Sequence, residues 1–208
     1  WSYLLKEAHQ GVGNALNKAL AGLEEHNPSL AGVLEHGIYG YAQPLDSYRE
    51  AVTGWHARRF GWNPADDSMV MTPGVVTALN LIVQAFTLPG EGVLIQQPVY
   101  AHFHHDVAAN GRRVVNAPLV RDDAGRYRFD AERFEAAITR DVKLFILCNP
   151  HNPIGNVWSR DELVQMGEIC LRHGVLVVSD EVHADLVFNR AVKHTPFASL
   201  GEEFAANS

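Results

Sequence analysis

From residue 67 onward, short β-branched runs alternate with stretches of helical period, and this alternation constrains the fold more than any other feature. The candidate strands are Met69–Thr72, Val93–Gln96, Arg113–Pro118, Leu144–Cys148 and Val175–Ser179. Between them lie candidate helices over Val75–Thr87, Ala101–Asn110, Ala131–Thr139 and Arg160–His173. Asp122-Asp123-Ala124-Gly125 marks a turn before Arg126–Phe129. The strands carry continuous apolar runs rather than apolar residues at alternate positions, as expected where both sheet faces are covered. The pattern predicts an α/β fold: three layers, α-β-α, around a mainly parallel sheet. In such sheets ligands sit beyond the carboxyl ends of the strands. The chemistry is therefore sought in the residues just past each strand.

The first part of the chain reads differently. Leu4, Leu5, Ala8, Val12, Leu16, Leu20 and Leu23 recur at helical spacing over residues 3–25, and Asn27-Pro28 ends that helix. Gly37-Ile38-Tyr39-Gly40-Tyr41 reads as a loop, followed by a helix from about Leu45 to Phe60. We therefore expect an N-terminal helical segment over residues 1–36 and one large domain over 37–208.

At 47% hydrophobic and 20% charged, the 208 residues can build a real core. The formal charge is −7, and the basic residues are scattered with no Lys/Arg stripe, which argues against a nucleic-acid face. No apolar run reaches membrane-spanning length, and Trp1–Glu7 lacks the form of a signal peptide. Cys148 and Cys170 fall in separate buried elements, so no disulfide framework is expected and the reading is a cytoplasmic protein. Gly11-Val12-Gly13 lacks a third glycine and a preceding strand, and no phosphate loop of the nucleotide triphosphatases occurs. His102-Phe103-His104-His105 opens a helix, with no Cys or carboxylate nearby to complete a metal site.

Four strand ends each offer one chemical part. After Met69–Thr72, Pro73-Gly74-Val75-Val76 opens a helix whose free N–H groups suit an anion, although an ordinary turn needs the same glycine. After Val93–Gln96 comes Tyr100, a ring able to stack on a flat heterocycle or simply to pack. After Leu144–Cys148, Asn149-Pro150-His151-Asn152-Pro153-Ile154-Gly155 packs two Asn-Pro steps and a glycine into seven residues. Such constraint suits a rigid loop presenting Asn152 as a fixed donor. After Val175–Ser179, Asp180 ends a buried strand, where a carboxylate is costly without a partner, although Asp also caps helices. Together the parts describe a pocket for a flat, phosphorylated, nitrogen-containing heterocycle.

From about Gly37 to Phe197 the sequence resembles pyridoxal-phosphate (PLP) enzymes of the aspartate-aminotransferase fold type. The most specific segments are Asn149–Gly155 and Ser179-Asp180-Glu181-Val182-His183-Ala184-Asp185-Leu186. The resemblance implies backbone N–H groups of Gly74, Val75 and Val76 on the PLP phosphate and Tyr100 stacked on the pyridine ring. It implies Asn152 on the ring hydroxyl oxygen and Asp180 paired with the protonated ring nitrogen. His183 stands where aminotransferases usually carry a tyrosine to that same oxygen. Tyr41 resembles the tyrosine that reaches the neighbouring subunit's phosphate, which implies a homodimer with shared sites. Asp180–Leu186, Asn156-Val157-Trp158 and Gln96–Tyr100 look like the MalY/PatB group of cystathionine β-lyase-like enzymes.

That group implies a carbon–sulfur β-lyase. A lysine takes the α-proton, the β-sulfur leaves as a thiol, and the remainder breaks down to pyruvate and ammonia. An amino-acid aminotransferase uses the same site residues, and a non-catalytic regulatory homologue would keep the fold alone. The chain has four lysines, Lys6, Lys18, Lys143 and Lys193, and none stands in the family's Schiff-base context, so no catalytic residue is assigned. The expectation is an incomplete chain that stops at Ser208 before that lysine and lacks the small C-terminal domain. No Trp-Val-Ala-Asp-Met-Asp-Phe-like segment precedes Tyr41, a departure from the group.

Overall fold

The computed structural model describes residues 46–65 and 68–208. Nearly all of them belong to one compact unit, Arg49–Ser208. The expected helix over residues 3–25 and the loop carrying Tyr41 lie outside the described residues. Helix α1 spans Asp46–Phe60, followed by α2 (Val75–Phe86), β1 (Gly92–Ile95), α3 (Ala101–Ala109) and β2 (Arg113–Asn116). A short antiparallel hairpin, β3 (Val120–Arg121) and β4 (Tyr127–Arg128), leads to α4 (Ala131–Ala137). Then come β5 (Val142–Cys148), α5 (Arg160–His173), β6 (Leu176–Asp180), a 3-10 turn (Phe197–Ser199) and α6 (Glu202–Ala206).

The four main strands form a sheet in the order β2-β1-β5-β6, with every neighbouring pair parallel. All four residues of β1 are buried, as are six of the seven in β5, which explains their unbroken apolar runs. Successive strand residues point to opposite faces. Leu94, Phe145, Leu147 and Val177 join Leu163, Met166, Ile169 and Cys170 of α5 in one core. Val93, Ile95, Leu144, Ile146 and Cys148 join Leu79 and Val83 of α2 and Phe103 and Val107 of α3 in the other. The layers are thus α-β-α. Each fully buried Leu, Ile or Phe contributes about 1.5–3 kcal/mol, so these two cores dominate the stability.

Local chemistry sets the element ends. Helix α5 begins at a reciprocal cap, in which Ser159 Oγ accepts from Glu162 N–H while Glu162 accepts from Ser159 N–H. Asp130 caps α4 by accepting from Arg133 N–H at 3.0 Å.

Most element ends shift by one or two residues from the sequence reading, and three differences have a visible cause. Met69–Thr72 is not a strand: no described strand pairs with it, and Val70 and Met71 stand 81% and 51% exposed. Strand propensity without a ladder partner leaves the backbone to water. Strand β2 ends at Asn116, whose side chain accepts from Gln97 N–H. Helix α4 stops at Ala137 because Ile138 is already extended.

Candidate functional site

Strands β1 and β5 are neighbours, yet the chain leaves them in opposite directions. From β1 it passes through α3 to β2, and from β5 through α5 to β6. Diverging connections open a crevice at the carboxyl ends of the two strands. A cavity of about 240 Å³ lies there, lined by Val75, Val76, Leu79, Tyr100, Cys148, Asn152, Asp180, Val182 and His183. Six of the residues singled out from the sequence therefore come together: Val75, Val76, Tyr100, Asn152, Asp180 and His183. Gly74 directly precedes the wall formed by Val75, and Tyr41 lies outside the described residues. Leu79, Cys148 and Val182 were not anticipated. Cys148 was readable in retrospect, because it ends β5 two residues after Ile146 and so shares its face.

One end of the cavity is the start of α2. No side chain caps this helix, and its first internal hydrogen bond runs from Ala78 N–H to the Gly74 carbonyl at 3.0 Å. The N–H groups of the first turn precede that bond and have no intrahelical partner. Gly74 adopts φ 150°, a conformation that side chains resist, and a Cβ there would meet nothing within 4 Å. Backbone shape, not crowding, requires glycine, and the approach to the amides is open. Free amides and the helix dipole at an uncapped start suit an anion such as phosphate.

Another wall is the loop after β5, which contributes Asn152. Asn152 N–H donates to Cys148 Sγ and the Cys148 thiol donates to the Pro150 carbonyl, both at 3.4 Å. Burial pushes the Cys148 thiol up to about 11, so it stays protonated and keeps that donor. Asn149 is fully buried, donates to the Thr195 carbonyl and accepts from Trp158 N–H. Trp158 Nε1–H donates to the Cys148 carbonyl at 3.0 Å. Asn156 donates to the Tyr127 carbonyl and so ties the loop to β4. The constrained loop expected from two Asn-Pro steps is therefore held at every turn, while the Asn152 carboxamide makes no hydrogen bond among the described residues.

Asp180 ends β6, in register with Cys148 on β5. Its Oδ1 accepts from Val182 N–H at 3.1 Å. Burial raises its carboxyl above the ordinary carboxylate range, only partly opposed by that N–H and by His183. A half-buried acid without a full cationic partner is the environment a protonated ring nitrogen would complete. The next residue faces elsewhere: Glu181 accepts from Ser179 Oγ, Phe197 N–H and His194 Nε2, at 2.8, 2.8 and 2.9 Å. Asp185, in the loop that carries His183, accepts from Trp55 Nε1 and Arg59 Nε of α1. A larger cavity of about 710 Å³ shares Asn152 and His183 with the first and runs along Arg128 to Phe188.

Uncapped amides, a ring, an unpaired carboxamide and a half-buried acid fit the phosphate, ring face, ring oxygen and ring nitrogen of PLP. No described lysine is part of the set. Lys143 sits at the amino end of β5, far from the cavity, with its Nζ donating to the Arg140 carbonyl, and Lys193 does not line the cavity. The histidine run holds a surprise, since Asp106 supplies the nearby carboxylate that the sequence reading missed. Asp106 Oδ1 lies 3.5 Å from His102 Nδ1, and the His102 ring packs 5.1 Å from that of Tyr100.

The model of one protein family, aminotransferase class I and II, matches residues 30–206. The chain belongs to this family. Among relatives of the class I and II aminotransferases, it is 48% identical over 201 residues to cystathionine beta-lyase PatB of Bacillus subtilis (strain 168), covering 94% of this chain and 51% of PatB. It is 32% identical over 169 residues to protein MalY of Escherichia coli (strain K12), covering 80% of this chain and 43% of MalY. The crystal structure of cystalysin from Treponema denticola, which contains a pyridoxal 5'-phosphate cofactor, superposes with a TM-score of 0.79 at 34% identity, covering 86% of this chain and 45% of cystalysin. The chain spans about half the length of the curated relatives it matches. This class I and II family membership agrees with the three-layer parallel fold and with the resemblance carried by Asn149–Gly155 and Ser179–Leu186.

Proposed function

We propose that this chain forms the cofactor-binding part of a PLP-dependent carbon–sulfur β-lyase that cleaves cystathionine or related cysteine S-conjugates. The observation that carries the reading is the single cavity that gathers Val75, Val76, Tyr100, Asn152, Asp180 and His183 at the carboxyl ends of β1, β5 and β6. The N–H groups of Gly74, Val75 and Val76 would hold the phosphate, and Tyr100 would cover one ring face. Asn152 and His183 would bind the ring oxygen. Asp180 would hold the proton on the ring nitrogen. When bound, the protonated ring supplies an electron sink at the substrate α-carbon. The chain's own work is to orient that ring, keep its nitrogen charged and screen it from water.

The lyase reading over an aminotransferase draws on the likeness to PatB and on the Asp180–Leu186 segment. The same reading extends to a large domain over 37–208 preceded by a helical segment over 1–36. It also places Tyr41 at a partner's phosphate in a cytoplasmic homodimer, with a lysine other than Lys143 and Lys193 as the base.

The test is a titration of the chain with PLP, followed by absorbance and protein fluorescence. Saturable one-to-one binding that Asp180→Ala weakens at least tenfold supports the reading. Absence of binding, or binding indifferent to Asp180 and Asn152, overturns it. In a protein that carries the Schiff-base lysine as well, pyruvate release from a cysteine S-conjugate without added keto acid separates lyase from aminotransferase.

A further inference from the structure

His151 has no role in the set of residues that would touch the cofactor, yet it is the buried link between two of them. The residue is 1% exposed, and its ring meets Trp158 edge-on at 5.4 Å. Nε2 lies 2.9 Å from the Pro98 carbonyl. A carbonyl only accepts, so Nε2 carries the proton. Pro98 stands two residues before Tyr100, in the connection leaving β1, and His151 stands one residue before Asn152, in the connection leaving β5. These connections diverge at the crevice, and among the described residues the β1–β5 pairing runs no further than Leu94 and Phe145. Main-chain bonds hold His151 from its own side: its N–H donates to the Asn156 carbonyl at 2.7 Å, and its carbonyl accepts from Gly155 N–H at 2.8 Å. The imidazole is therefore a strut, fixed at one end in the Asn152 loop and bonded at the other to the Tyr100 connection.

We propose that His151 is a positioning residue for the cofactor cavity, setting the separation of Tyr100 and Asn152 through the Nε2–Pro98 hydrogen bond. This rests on the PLP reading above. A buried hydrogen bond left without one partner costs enough to shift an equilibrium about tenfold, and here the freed element carries a cavity wall.

Glutamine places an amide nitrogen near the position of Nε2, whereas asparagine is too short to reach Pro98. PLP affinity and the circular-dichroism band of the bound cofactor are measured for both variants of the chain. We expect His151→Asn to weaken PLP binding about tenfold and to alter the band, and His151→Gln to stay within about threefold of the parent with the band retained. Introduced into Tyr100→Ala or Asn152→Ala, His151→Asn should cost less than it does alone, because the wall it positions is already gone. A His151→Asn protein with parental affinity and band overturns the proposal, as does a loss fully additive with Tyr100→Ala and Asn152→Ala. Should His151→Asn not fold, His151→Gln decides: parental affinity supports the strut, and a tenfold loss in a folded protein overturns it. Failure of the parent chain to bind PLP is a separate result that removes the cofactor reading and this proposal with it.

Discussion

Asp180 and Glu181 are adjacent in the chain, yet their carboxylates face opposite environments. Asp180 lines the cavity with one backbone N–H on its Oδ1, whereas Glu181 accepts three hydrogen bonds from Ser179, His194 and Phe197. The second acid is satisfied and anchors the chain after β6. The first is left half-buried for a partner that the fold does not supply.

Asp180→Asn should therefore separate stability from binding. Burial raises the folded Asp180 carboxyl above its ordinary value of 3.8, so ionising it costs the folded state. That cost is absent at low pH and grows as pH rises from 3.8 through the raised value. At neutral pH the variant without PLP should melt higher, by about 2–4 °C for each kcal/mol recovered, while its PLP affinity falls. Calorimetry and a PLP titration check the pair, and a lower melting temperature would contradict the account.

Tyr100 presents a ring to the cavity at 36% exposure. Tyr100→Phe should bind PLP much as the parent does, and Tyr100→Ala about threefold to tenfold more weakly, the range of one aromatic contact. Fluorescence titration distinguishes the two. Equal losses would mean that the hydroxyl, not the ring face, matters.

Gly167 lies inside α5, where alanine would ordinarily favour the helix by about 1 kcal/mol. Here a Cβ would come within 2.6 Å of the Phe204 ring and 3.1 Å of Phe197. Gly167→Ala should instead destabilise the chain by about 1–3 kcal/mol, as overpacking does. Urea denaturation measures the sign directly.

Trp158 is 2% exposed and donates to the Cys148 carbonyl at the root of the Asn152 loop. Trp158→Ala should cost about 3–5 kcal/mol of stability in denaturant unfolding, the range for emptying a large aromatic site.

Burial lowers the His151 imidazole below its ordinary 6.5, although the carbonyls of Pro98, Gln96 and Cys148 partly offset this. The neutral ring's contribution is complete above about pH 6.5 and is lost progressively as pH falls from there toward the lowered value. His151→Gln should flatten the acid side of the stability–pH curve in that window. An unchanged slope would place the titration elsewhere.

Much of this architecture was legible from sequence because it rests on local patterns. Unbroken apolar runs at β1 and β5 require cover on both faces, and the candidate helix over Arg160–His173 is α5 with the same bounds. The constrained loop at Asn149–Gly155 announced itself by composition, and the carboxylate at the end of β6 by its cost. Met69–Thr72 had strand composition but found no ladder, a fact about neighbours that propensity does not hold. The strand order β2-β1-β5-β6, and with it the meeting of Tyr100, Asn152 and Asp180 in one cavity, was decided by tertiary packing. So were the partners that satisfy Glu181, namely Ser179, His194 and Phe197. Local sequence specifies elements and their ends through short-range sterics and hydrogen bonds. Which strand ends become neighbours depends on burying two apolar faces at once, a property of the whole sheet.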